Sequence, residues 1–186
     1  MKWDFWKNER TRYRVIAITL AILAILLFLP YSFKTDSNRG KYAELIKENS
    51  LYSIVEVYDG DTFVVDVSGH DVTVRLIGID TPEVVDPRKP VQCYGPEASA
   101  KAKELLINQE VYLEKEKTKG DYDIYGRVLA YAYLPDKTLY NQYMIENGFA
   151  KEYTFNKEKY KYQAEFKEAQ KIAKKEKRGL WGGCAT

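Results

Sequence analysis

YSIVEVYDGDTFVVDVSGHDVTVRLIGI, residues 52–79, decides how the fold reads. Residues 52–57 alternate apolar and polar side chains as a half-buried strand does. Asp59-Gly60-Asp61 is a turn signal. Residues 62–67 form a second strand, and Ser68-Gly69-His70-Asp71 closes a hairpin onto a third, residues 72–79. The Pro-rich stretch 81–90 has to be a loop. Pro96 suits the first turn of a helix that runs through Leu106. Residues 111–115 and 128–134 read as strands. Residues 139–147 read as a short helix stopped by Gly148, and 157–177 as a last charged helix with Tyr162, Phe166, Ala169 and Ala173 on its inner stripe. Three strands, a helix, two strands and then helices predict an α+β domain. It is a five-stranded Greek-key barrel of the OB type with flanking helices, covering residues 51–186. Before it, residues 34–50 read as a linker that ends in a short helical turn, 41–49.

The N-terminus has a different character. Residues 15–29 carry no charge, and with Pro30, Tyr31, Ser32 and Phe33 the run approaches the ~20 residues that span a bilayer as a helix. Arg10, Arg12 and Arg14 precede it. The positive-inside rule keeps residues 1–14 in the cytoplasm and exports everything beyond Lys34. One transmembrane helix at 15–33, anchoring an extracellular domain at the cell membrane, is the expectation. A cleaved signal sequence that leaves a secreted domain stays open.

The chain holds 29 Lys and Arg against 27 Asp and Glu, a net charge of +2. Residues 1–34 contain six cations and two carboxylates, so the rest of the chain is slightly acidic, at −2. That balance excludes a protein that coats nucleic acid by its overall field. Any phosphate binding has to come from local placement of charge. The two cysteines, Cys93 and Cys184, both lie in the exported part, where a disulfide is permitted. A bonded pair is expected, and two buried thiols remain compatible with the sequence.

Five polar side chains stand out from this apolar background. They are Asp61, Arg75, Asp80, Glu83 and Arg127. Carboxylates hold a hard divalent cation through oxygen, and Ca²⁺ tolerates irregular oxygen shells. Guanidiniums grip phosphate through paired planar hydrogen bonds. A spare carboxylate can deprotonate a water. The set is what phosphodiester hydrolysis needs. Taken singly, each residue has a plainer reading. Asp-Gly-Asp is a common turn, and Arg75 could be an exposed strand arginine. His70, the one histidine, reads as a solvated turn residue, which excludes histidine pairs as acid and base.

In their order these residues resemble the staphylococcal nuclease (thermonuclease) family. The resemblance rests on Tyr-Asp-Gly-Asp-Thr (58–62), Arg-Leu-Ile-Gly-Ile-Asp-Thr-Pro-Glu (75–83), Tyr-Gly-Pro-Glu-Ala (94–98), Tyr-Gly-Arg-Val-Leu-Ala-Tyr (125–131) and Arg-Gly-Leu-Trp (178–181). It implies an OB-fold barrel and Ca²⁺-dependent hydrolysis of DNA and RNA that leaves 3′-phosphates. By matched position it implies Asp61, Asp80 and the Thr81 carbonyl as metal ligands, with Arg75 and Arg127 on the scissile phosphate. Glu83 would be the general base. Tyr125 lies near the nucleotide phosphate, and Tyr153 is the candidate for the base pocket. Ile124 departs from the pattern, occupying a site where some relatives carry a phosphate-binding lysine. Beyond the nucleic-acid substrates and the membrane, no obligate protein partner is expected, and the domain is expected to be a monomer. The rival reading is a non-catalytic binding module for nucleic acid or protein on the same fold. Such modules often lose the acidic and arginine positions, and here all five stand. An anchored scaffold with a structural metal would bind Ca²⁺ without turnover.

Overall fold

The computed structural model describes residues 17–19, 42–84, 90–118 and 120–184. The chain divides into two units, Met1–Asn38 and Arg39–Thr186. In the first, residues 17–19 are helical. The rest of the expected membrane segment, 15–33, lies outside the described residues. Among the described residues no helix is long and apolar enough to cross a membrane.

The second unit is built on a closed five-stranded barrel in the order β1-β2-β3-β6-β5. Strand β1 (Leu51–Val57) pairs antiparallel with β2 (Thr62–Asp66), and β2 with β3 (Asp71–Leu76). Strand β6 (Val128–Tyr133) lies parallel to β3 and antiparallel to β5 (Glu110–Lys115), which closes the barrel on β1. The alternation read in the sequence becomes alternation of burial. In β3, Val72, Val74 and Leu76 are buried while Thr73 and Arg75 are half-buried. Phe63, Val65, Val111, Leu113, Val128 and Ala130 join them in one core. Burial of apolar area of this kind is the main stabilising term of such a barrel.

Three expectations are corrected. The third strand does not run to Ile79. It ends at Leu76, and the chain turns at Gly78, where φ is +79°. A Cβ there would stand 2.7 Å from Tyr160 Cε2 and 2.8 Å from Phe166 Cδ2, so both the conformation and the space call for glycine. After the turn, β4 (Ile79–Asp80) forms a two-stranded ladder with β7 (Lys151–Glu152). The last long helix begins at Gln163, not at 157, because Asn156 and Lys157 have φ of +49° and +60°. Those values belong to the left-handed region and cannot continue a right-handed helix. Residues 43–46, expected within the linker, instead pack on the barrel. Ala43 and Ile46 are buried in the core, and the Ala43 N–H donates to the Tyr122 hydroxyl at 2.8 Å.

Among the described residues four α-helices flank the barrel: α1 (Gly95–Leu106), α2 (Tyr140–Glu146), α3 (Gln163–Lys175) and α4 (Leu180–Gly183). Helix α1 opens with Pro96 in its first turn, where the missing N–H has no intrahelical role. Helix α2 locks the site end of the barrel. The buried Asn141 accepts from the Ala132 N–H at 2.9 Å and donates to the Ile77 carbonyl at 2.9 Å. The buried Tyr140 hydroxyl donates to the Gly60 carbonyl at 3.0 Å. These bonds fix the Asp-Gly-Asp turn and the turn after β3 to one helix.

Candidate active site

Sheet register assembles the first half of the site. Thr62 is the cross-strand partner of Arg75, so Asp61 and Arg75 meet at one end of the β2–β3 pair. The Leu76 N–H donates to the Asp61 carbonyl at 2.9 Å, which pins that end. Asp61 is 5% exposed, and its carboxylate accepts from Thr62 Oγ1 (2.8 Å), the Thr81 N–H (2.9 Å) and Thr81 Oγ1 (3.2 Å). Arg75 Nη2 lies 3.2 Å from Asp61 Oδ2 and 3.5 Å from Asp80 Oδ1. Its Nη1 donates to the carbonyls of Leu76 (2.7 Å) and Ile79 (2.9 Å). The guanidinium is therefore fixed on both sides by groups that the strand ends supply. Asp61, Arg75, Asp80 and Thr81 form one bonded cluster.

Asp59 belongs to this cluster and was not singled out in the sequence. Its Oδ1 accepts the Asp61 N–H at 3.0 Å. Burial and the Asp61 charge together push its carboxyl up to about 7. Asp80 is also raised, by burial first and then by Asp61, with Arg75 and Lys151 acting the other way. One guanidinium thus faces three carboxylates, and burial together with the surplus of negative charge raises the proton affinity of Asp59 and Asp80. The Asp-Gly-Asp signal contained Asp59, but a turn aspartate is the ordinary reading of its first member.

Loops carry the second half. Glu83 is half-buried, two residues beyond Thr81. Its Oε1 accepts the Val84 N–H at 3.0 Å. Gln92 clasps the loop from the other side. Its side chain accepts the Glu83 N–H at 3.1 Å, and its own N–H donates to the Glu83 carbonyl at 2.9 Å. Residues 85–89, with Arg88 and Lys89, lie outside the described residues. Next to Gln92, Cys93 and Cys184 are bonded, with Cα atoms 5.9 Å apart and a sequence separation of 91.

Arg127 enters the sheet just before Val128, which pairs with Val74 one position from Arg75. It is held by Asp123. Asp123 Oδ1 accepts the N–H groups of Tyr125 (2.9 Å) and Arg127 (3.0 Å), and Oδ2 accepts Arg127 Nε at 2.6 Å. Asp123 therefore shapes the turn and aims the guanidinium at once. Sequence reading missed it. The signal was an Asp two residues before Tyr125-Gly126, a turn that such a side chain caps. Tyr125 is 70% exposed, with its ring centroid 5.4 Å from Arg127 Cζ. Ile124 is exposed beside it.

Tyr153 follows the β4–β7 ladder and donates its N–H to the Gly78 carbonyl at 3.0 Å, so it sits one strand from Asp80. Its exposed ring lies 6.4 Å from the exposed ring of Phe155, which sequence reading did not single out. Two exposed aromatic rings can stack on planar groups.

The donor set around the buried Asp61 and the exposed Asp80 is all oxygen and in negative excess. That fits a hard cation such as Ca²⁺ and gives zinc no nitrogen or sulfur. Among the described residues no three Asp, Glu, His or Cys side chains already converge as a cage. Backbone oxygen and water would have to complete any shell.

Comparison with known proteins bears on this site. A family model described as "Staphylococcal nuclease homologue" matches residues 73–183. The thermonuclease of Staphylococcus hyicus is 41% identical over 163 residues, which cover 87% of this chain and 94% of the relative. The thermonuclease of Staphylococcus intermedius is 38% identical over 164 residues, 88% of this chain and 94% of the relative. The SPbeta prophage-derived endonuclease YokF of Bacillus subtilis is 40% identical over 124 residues, 66% of this chain and 41% of that longer protein.

Proposed function

The chain belongs to the staphylococcal nuclease family, and on that premise we propose that it is a Ca²⁺-dependent endonuclease hydrolysing DNA and RNA to products with 3′-phosphates. The observation that carries the reading is Arg75 held between Asp61 and Asp80 at 3.2 and 3.5 Å, a guanidinium beside an oxygen-only, over-negative donor set.

Asp61, Asp80 and the Thr81 carbonyl would hold the metal. Calcium, when bound, supplies positive charge against the phosphate oxygens and so lowers the repulsion that an incoming nucleophile meets. Arg75 and Arg127 bind the scissile phosphate, and their attraction grows as charge builds on its oxygens in the transition state. Their planar forks fit two phosphate oxygens at once, which a lysine cannot do. Glu83 takes the proton from the attacking water at a carboxylate oxygen. Tyr125 lies against Arg127 and borders the phosphate. Tyr153, with Phe155, offers the surface on which a base rests.

We further place the domain outside the cell. The uncharged run behind Arg10, Arg12 and Arg14 supports export, whether residues 15–33 stay as an anchor or are cleaved. The bonded Cys93–Cys184 pair fits that compartment. Protease added to intact cells would remove an anchored domain, whereas a soluble shortened form in the medium would show cleavage.

The test of the activity is DNA degradation by the purified full-length chain. Hydrolysis is expected in Ca²⁺, with loss on adding EGTA and recovery in excess Ca²⁺. Mg²⁺ should substitute poorly, because it demands a tighter octahedron. Full activity in EGTA would sink the metal dependence, and no hydrolysis under any condition would favour a binding module.

A further inference from the structure

A cleft of about 800 Å³ is lined along β5, and none of Asp61, Arg75 and Asp80 lines it. Five lysines line it: Lys115, Lys117, Lys137, Lys159 and Lys161. Resting on the nuclease reading above, we propose that this cleft is a second binding track for the sugar-phosphate backbone of a polynucleotide whose scissile phosphate sits at Arg75 and Arg127.

Two of the five lysine charges are spent on ion pairs and three are not. Three carboxylates also line the cleft: Glu48 is exposed, and Glu114 and Glu116 are hydrogen-bonded. Glu116 is buried and accepts from the Tyr131 hydroxyl (2.6 Å) and the Lys161 N–H (2.7 Å). Glu114 accepts from the Tyr133 hydroxyl (2.8 Å) and from Lys161 Nζ (2.5 Å). Lys115 pairs with Asp121 at 3.5 Å. Lys117, Lys137 and Lys159 are exposed and form no ion pair among the described residues. Lys137 stands over the Tyr112 ring, with Nζ 3.1 Å from the centroid, which holds one of these charges at the cleft wall. A cluster of unpaired cations is informative here because residues 35–186 are net acidic. A polyanion would be drawn to this cleft rather than to the surface at large.

The path of the chain points to a polynucleotide as the occupant. The cleft and the catalytic site share chain segments. In chain order Lys117 precedes Tyr125 and Arg127 between β5 and β6, and Lys159 follows Tyr153 and Phe155, which follow the ladder beside Asp80. A strand leaving the site past the exposed Tyr153 and Phe155 rings is therefore led toward Lys159 and Lys117. Aromatic rings followed by cations is the arrangement that tracks a single strand without reading its sequence.

The test uses the full chain with Lys117→Gln, Lys137→Gln and Lys159→Gln combined. All three side chains are exposed, so the melting temperature should not move. Two substrates are compared, a long single-stranded DNA and a thymidine dinucleotide too short to reach the cleft. KM for the long strand should rise roughly tenfold, while kcat and KM for the dinucleotide stay within about twofold. Binding of a labelled 20-residue oligothymidylate in EGTA gives a readout independent of turnover. Each lost phosphate contact should flatten the salt dependence by about 0.7, so the slope should fall by about 2. Unchanged binding and salt slope in EGTA would overturn the proposal, as would equal losses on both substrates. Tighter salt-sensitive binding of polyglutamate than of the oligonucleotide would assign the cleft to an acidic protein instead. If the wild type cleaves neither substrate, the nuclease reading fails, and the binding arm in EGTA still decides the cleft.

Discussion

The two halves of the site are held by different means. Asp61, Arg75, Asp80 and Thr81 sit on strand ends, where register sets their positions and most of their polar atoms are bonded. Glu83 and Arg127 sit on loops, where the Gln92 side chain bonds the backbone of the first and Asp123 the backbone and guanidinium of the second. The strand half is preformed. Moving it means breaking sheet pairing and core packing together. The loop half can shift at the cost of a few exposed hydrogen bonds. Under the proposed function this is a division of labour, with the metal ligands on the rigid half and the base Glu83 and the phosphate-binding Arg127 on the adjustable half.

The largest effect should come from the bond at the base of the Glu83 loop. Cys93→Ser with Cys184→Ser removes a link across 91 residues of sequence, for which the chain-entropy model gives up to ~4–5 kcal/mol. Denaturant unfolding measures it. Turnover per folded molecule should hold, because neither sulfur touches the reacting groups. A large loss of turnover with unchanged stability would show that the loop half leans on this bond for its geometry.

Next come the arginines. Arg75→Lys and Arg127→Lys should each lose on the order of 10²-fold in kcat, as should Glu83→Gln. The comparison predicts that they differ in stability. Arg75 is the cationic partner of the buried Asp61, and a lysine cannot remake its four contacts, so the melting temperature should fall. Arg127 pairs with Asp123 nearer the surface, and its loss should cost less than about 1 kcal/mol. Equal destabilisation by both would erase the distinction between the halves.

Asp123 sharpens the same contrast. Asp123→Ala removes the acceptor of both turn N–H groups and of the Arg127 guanidinium, and kcat/KM should drop roughly tenfold with the barrel intact. Asp123→Asn keeps the turn acceptor and should fall in between. Wild-type kinetics for Asp123→Ala would show that Arg127 needs no holder.

The smallest effect concerns acid. Burial works against ionisation of Glu116, but hydrogen bonds from Tyr131, Lys161 and Thr118 outweigh it and hold its carboxyl below the usual range. Glu114 is lowered in the same way, through Lys161, Tyr133 and Tyr162. Both folded values lie below the unfolded ones. Their contribution is therefore full above the ordinary glutamate range and lost as pH falls through the depressed values. Urea midpoints measured as pH is lowered should fall less steeply for Glu116→Gln than for wild type. Parallel profiles would remove Glu116 from the account.

These elements also show what a sequence makes legible. The barrel could be read because alternation and turn signals mark its strands, whereas the Asp61–Arg75 contact depends on the cross-strand pairing of Thr62 with Arg75, which no single strand displays. The β4–β7 ladder could not, since strands of two residues have no period to detect. The start of α3 was misplaced because the charge pattern of residues 157–162 suits a helix, while the left-handed turn at Asn156 and Lys157 breaks it. Glu83 and Arg127 stand out in the sequence as charged side chains in loop and turn settings, and the family resemblance adds Tyr125 and the roles expected of all three. Asp123 and Gln92, which hold two of them, were not found, because turn-capping and loop-clasping residues look like ordinary loop polarity.

The division of labour is tested most directly by titrating activity with Ca²⁺ in wild type, Asp80→Asn and Arg127→Lys. The account predicts that Asp80→Asn raises the half-maximal Ca²⁺ concentration at least ~10-fold, through loss of a charged oxygen ligand. Arg127→Lys should leave that concentration within about twofold while kcat falls on the order of 10²-fold. An unchanged Ca²⁺ requirement in Asp80→Asn, or a shifted one in Arg127→Lys, would contradict it.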